Sequence, residues 1–101
     1  MLTETEIKVL TELSEGSNWN DNGALDFKNP DYNSQVCEST YQVFLDAKDR
    51  AKNLNMNINN YKGALGSLAK KGCVSFYRED GEYIAVIDSV CFKNIRGHLG
   101  F

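Results

Sequence analysis

The sequence predicts an α+β domain: a three-helix core, then a two-stranded β-hairpin. Three observations carry this. Apolar residues recur at helical spacing over 4–15 and 58–71. Two runs of β-formers, Cys73-Val74-Ser75-Phe76-Tyr77 and Tyr83-Ile84-Ala85-Val86-Ile87, flank an Asp80-Gly81 turn signal. At 101 residues, 42% hydrophobic and 25% charged, the chain has the size and composition of one soluble domain.

The first helix is expected over 4–15. Thr3-Glu4-Thr5-Glu6 fits a capping box. Ile7, Leu10 and Leu13 then repeat at helical spacing with Val9 beside them. Gly16 is a plausible stop. Glu4, Glu12 and Glu15 read as a solvated face. Residues 17–36 have loop composition and contain the only proline, Pro30. Such an insertion is long for a plain connection. Trp19, Leu25, Phe27 and Tyr32 favour packing over a free loop, and the alternation of Leu25 and Phe27 allows a short strand over 23–27.

The second helix is expected over 40–54, capped by Ser39 or Thr40. Tyr41, Phe44, Leu45, Ala47, Ala51 and Leu54 supply its stripe, and Lys48, Arg50 and Lys52 lie on its surface. Asn55-Met56-Asn57 reads as a tight turn with Met56 inward. Asn57 is a good N-cap for the third helix. There Ile58, Tyr61, Leu65 and Leu68 make a buried stripe. Gly72 ends it. The hairpin follows, and Asp88-Ser89 can cap a short helix over 89–96 ending at Gly97. The extension 89–101 otherwise reads as unstructured.

Cysteines 37, 73 and 91 are an odd, widely spaced set, which suits a reducing cytoplasm better than a disulfide framework. Cys73 and Cys91 read as buried packing residues. His98 is the only histidine, so no zinc site, and no other metal or cofactor, is expected. No apolar run reaches membrane-helix length, and no secretory signal is expected. Net charge is −3, unevenly spread. Residues 1–45 hold 2 basic and 8 acidic groups, whereas residues 46–72 hold 6 basic and 2 acidic. The positive excess lies in the second and third helices.

The outward face of the third helix carries Asn59, Asn60, Lys62, Gly63, Gly66, Ser67 and Lys70. Amide, hydroxyl and amine side chains suit base edges and phosphates. Each interior glycine costs roughly 1 kcal/mol relative to Ala, so something should compensate. A neighbouring helix in the core and a close approach to DNA both account for Gly66. The position of Gly63 between Asn59 and Ser67 favours the groove. Lys70 and Lys71 sit where the helix dipole favours cations.

Residues 45–88 resemble the winged helix-turn-helix fold, broadly of the MarR type. The resemblance is carried by Ala51-Lys52-Asn53-Leu54-Asn55-Met56, by Lys62-Gly63-Ala64-Leu65-Gly66-Ser67-Leu68-Ala69-Lys70-Lys71-Gly72, and by the hairpin as wing. It implies a cytoplasmic transcriptional regulator that binds double-stranded DNA, with the third helix in a groove. Asn59, Asn60, Lys62, Gly63 and Ser67 would then read bases. Lys48, Lys52, Lys70, Lys71 and Arg78 would hold phosphates. MarR proteins dimerise through long terminal helices that this chain lacks, so a homodimer and a monomer both stay open.

The wing tip, Glu79-Asp80-Gly81-Glu82, is acidic where DNA-touching wings are usually basic. Either it points away, or Arg78 alone reaches the minor groove, or the module binds a protein. In that alternative a phage or mobile-element protein uses its acidic surface to bind or inhibit a basic host protein. No phosphate loop, metal spacing or nucleophile arrangement points to an enzyme.

Overall fold

Helix α1 (Glu4–Glu15) begins at the expected capping box. The Thr3 amide donates to Glu6 Oε1 at 2.7 Å, and the Glu6 amide donates to Thr3 Oγ1 at 3.1 Å. The structure is a computed structural model and describes residues 1–15, 24–36 and 41–101. Gly16, Trp19, Cys37 and the Ser39/Thr40 cap lie outside the described residues. Val9, Leu10 and Leu13 are buried, but Ile7 is exposed and Glu6 takes its place on the inner face.

Residues 40–54 do not form one helix. Tyr41–Phe44 is strand β1, and Ala47–Asn53 is helix α2. The aromatic residues at 41 and 44 fit a helical period, but Tyr41 and Val43 fit an alternating one equally well. The decision comes from strand β3 (Glu82–Ile87), which pairs antiparallel with β1 from Tyr41↔Ile87 to Phe44↔Ile84. That pairing buries Tyr41, Val43, Ile84, Ala85 and Ile87. Asp46 then caps α2, accepting from the Asp49 amide at 3.3 Å.

Helix α3 (Ile58–Lys70) follows the turn at residues 54–57, where Asn55 takes a left-handed φ of 52°. Asn57 caps it by accepting from the Asn59 amide at 2.8 Å. Tyr61, Ala64, Leu65 and Leu68 are buried, Met56 is half-buried, and both α1 and α2 pack on α3. Gly72 leaves the helix at φ 73°. The left-handed φ favours glycine, and a Cβ there would also displace the Asn94 side chain, whose Nδ2 would lie 2.8 Å away.

Strand β2 (Ser75–Glu79) pairs with β3 through the Asp80-Gly81 turn, where both φ values are positive, 52° and 83°. This is the type I′ geometry that Asp-Gly favours. The hairpin is thus two strands of a three-stranded antiparallel sheet, ordered β1-β3-β2.

The expected final helix is longer than 89–96: α4 (Ser89–Leu99) runs past Gly97 and ends at Gly100, a fourth α-helix among the described residues beside the three expected in the core. Cys91, Phe92 and Ile95 are buried, which makes α4 part of the core. No strand forms over the described part of 23–27. Leu25 and Tyr32 are buried in the main core instead. Phe27 and Tyr32 stack on Phe92 at 5.7 and 5.1 Å between ring centres. A core against α4 was available to these residues, and a strand partner was not.

Candidate functional site

Because α3 buries one side against α1 and α2, its other side is defined by helical geometry. Asn59, Asn60, Lys62, Gly63, Gly66 and Lys70 are all exposed there. Gly63 and Gly66 are the distinguishing residues. A Cβ built on either would meet no heavy atom within 4 Å. No neighbouring helix needs their smallness, so the core account of Gly66 is removed.

Four exposed lysines lie on α2 and α3. Lys48 and Lys52 on α2 and Lys62 and Lys70 on α3 are exposed, and none of them forms an ion pair among the described residues. Arg78 is also exposed, on β2, with its guanidinium 5.0 Å from the centre of the Tyr83 ring. The hairpin tip beside it keeps Glu79, Asp80 and Glu82 exposed.

Ser67 departs from the open face on which the sequence placed it, and Lys71 from the free phosphate contact expected at the helix end. Both turn to the Glu6 carboxylate. Ser67 Oγ donates to Glu6 Oε2 at 2.7 Å, and Lys71 Nζ lies 2.7 Å from Oε1 and 3.1 Å from the Met1 carbonyl. Burial by itself would raise the Glu6 carboxyl. The Lys71 ammonium, the Thr3 amide and the Ser67 hydroxyl outweigh burial and hold it at about 2. This knot ties the C-terminal end of α3 to the start of α1.

A second knot lies further along α1. Arg50 Nη1 donates to Glu12 Oε1 at 2.8 Å, and Arg50 Nε donates to the Phe44 carbonyl at 2.9 Å. Tyr61 donates to Glu12 Oε2 at 3.4 Å, and burial, then the Glu12 charge, raise its phenol. Glu12 and Arg50 were expected on the surface, but their side chains are only 13% and 12% exposed. They fix α1, α2, α3 and the end of β1 relative to one another.

The sequence held a signal for Glu6 that the apolar stripe obscured. Positions 6, 9, 10 and 13 form a better inner face than 7, 10 and 13, and Glu6 is in that register. Glu12 gave no comparable signal, because its partner is 38 residues away. Cys73 and Cys91 are buried, and burial raises both thiols. No cluster of three or more His, Cys, Asp or Glu side chains suited to a metal converges among the described residues. Compared with protein-family models, curated proteins and solved structures, the chain gives no significant match.

Proposed function

We propose that this chain is a non-catalytic, sequence-specific binder of duplex DNA, a winged-helix regulator of transcription in which α3 lies in the major groove. The observation that carries the reading is the outer face of α3. It keeps two glycines that the fold does not need, among amides and unpaired lysines. In a groove the glycines let the helix backbone approach the bases. Asn59, Asn60 and Lys62 reach base edges, where an asparagine can bond adenine through two atoms. Lys48, Lys52 and Lys70 hold phosphates, and Arg78 is a further phosphate contact if the hairpin lies alongside. Ser67 and Lys71 act as positioning residues that hold α3 against α1 through Glu6. The order of α1, β1, α2, α3, β2 and β3 supports the winged-helix assignment.

Electrophoretic retardation of a random duplex library at several salt concentrations tests this. Three phosphate-holding lysines imply a slope of about −2.7 in log affinity against log salt, and about −3.6 with Arg78. Absence of binding at low salt, or binding indifferent to salt, would refute the proposal.

One observation favours the second reading, a module that binds a basic protein. Asp46 and Glu82 line one hollow beside Tyr83, so the acid of the hairpin tip continues onto the start of α2. The two readings use different surfaces. Charge reversal at Lys62 and Lys70 abolishes DNA binding in the first and spares partner capture in the second.

A further inference from the structure

The two edges of the sheet are treated differently. On β1 the outward-pointing Phe44 carbonyl accepts from Arg50 Nε at 2.9 Å. Among the described residues, no strand pairs with the outer edge of β2. The Leu45 amide donates to the Tyr83 carbonyl at 2.9 Å, so Tyr83, Ala85 and Ile87 turn their backbone groups to β1. Glu82, Ile84 and Val86 therefore turn theirs to β2, where they meet Glu79, Tyr77 and Ser75. The amides and carbonyls of Phe76 and Arg78 are left pointing away from the sheet.

All five residues of β2 are exposed. Phe76 lies in the row of Ala85 and Val43, both buried, yet it is 37% exposed because nothing covers the edge. Tyr77, on the other face, is 38% exposed. Edges that stay single are commonly blunted by proline, lysine or a bulge. β2 has no proline, lysine or bulge, its pairing runs unbroken from Ser75 to Glu79, and its two charges, Arg78 and Glu79, are of opposite sign.

We propose that β2 pairs antiparallel with β2 of a second copy of this chain, about a two-fold axis at Tyr77, making one six-stranded sheet. The strand is complementary to itself in this register. Phe76 falls opposite Arg78 of the other copy, and these are the two residues whose backbone groups point outward, so they exchange ladder hydrogen bonds. Arg78 already lies over Tyr83 and gains a second aromatic face from Phe76. Ser75 falls opposite Glu79, which its hydroxyl can bond. The row Phe44-Ile84-Tyr77 continues across the axis into its own copy. Neighbouring symmetric registers are worse. An axis at Arg78 sets like charges opposite one another. An axis at Phe76 sets Arg78 opposite buried Val74. The pairing requires no DNA and stands apart from the function proposed above.

Sedimentation velocity over a wide concentration range tests it. The wild-type chain should move from monomer towards twice the monomer mass. Tyr77→Lys and Tyr77→Glu should each dimerise at least tenfold more weakly, because each sets like charges face to face at the axis. Their equimolar mixture should regain wild-type association. A wild-type chain that stays monomeric, variants that dimerise as well as wild type, or a mixture no better than its components would overturn the proposal. Tyr77 also bonds Gln42 at 2.9 Å, so circular dichroism must show the variants folded. Tyr77→Cys gives an independent readout. Non-hydrogen-bonded positions directly opposite have Cα atoms about 4.5 Å apart, within disulfide reach. Mild oxidation should yield a covalent dimer well above the wild-type background, and a monomer after oxidation counts against the register.

Discussion

Replacing Gly63 and Gly66 by alanine separates what the fold needs from what the site needs. Both glycines are exposed, lie inside α3, and have space for a methyl group, with no heavy atom within 4 Å of the added Cβ. Steric cost is therefore absent, and the helix gains what alanine contributes over glycine, about 0.8–1.0 kcal/mol at each site. The double variant should be more stable by up to about 2 kcal/mol, the sum for two positions one helical turn apart. For a domain of this size that raises Tm by about 8–16 °C. Thermal melting followed by circular dichroism, with urea titration, measures this directly. The same variant should bind duplex DNA at least tenfold more weakly, because the methyl groups hold the helix away from the base edges. Gly97→Ala is the control. Gly97 is also exposed and helical with nothing near its Cβ, but it lies in α4. That variant should be stabilised alike and bind normally. Destabilisation by the α3 pair would show that the fold uses those glycines after all. Stabilisation with unchanged DNA affinity would remove the argument for α3 in a groove.

Glu6 makes stability depend on acid pH. Its carboxyl is held at about 2, below the unfolded value, so the stabilisation is complete above about pH 4.5 and is lost as pH falls towards 2. Glu6→Gln should cost about 1–3 kcal/mol near neutrality and flatten that part of the stability–pH curve; an unchanged curve would mean the carboxylate is not held as described. Arg50→Ala strands the Glu12 carboxylate at a mostly buried position and should cost about 3 kcal/mol by chemical denaturation. A loss under 0.5 kcal/mol would show that Glu12 finds water. Ile95→Ala should cost about 2–5 kcal/mol, because Ile95 is fully buried in α4. If α4 were only an appended tail, its melting curve would match wild type.

Helices α1 and α3 and the hairpin turn were legible in the sequence because their signals are local. A capping box, an Asn cap, an apolar stripe and an Asp-Gly pair each act within a few residues of themselves. The exposed amides and lysines of α3 followed from the same stripe, since the opposite side of an amphipathic helix is open by geometry. Ser67 and Lys71 broke that rule because Glu6, more than sixty residues earlier in the chain, attracts them both.

Tyr41–Phe44 shows why local patterns ran out. Four residues satisfy two periods, and only a strand some forty residues later decides between them. The same applies to α4, which becomes core because Phe27 and Tyr32 stack on Phe92. Amino-acid order alone determined where α1 and α3 start, where the hairpin turns and which side of α3 is polar. Tertiary structure decided which polar groups are free to bind. A carboxylate withdrawn from water takes its partners from whatever packs against it, and packing partners are chosen by the whole fold.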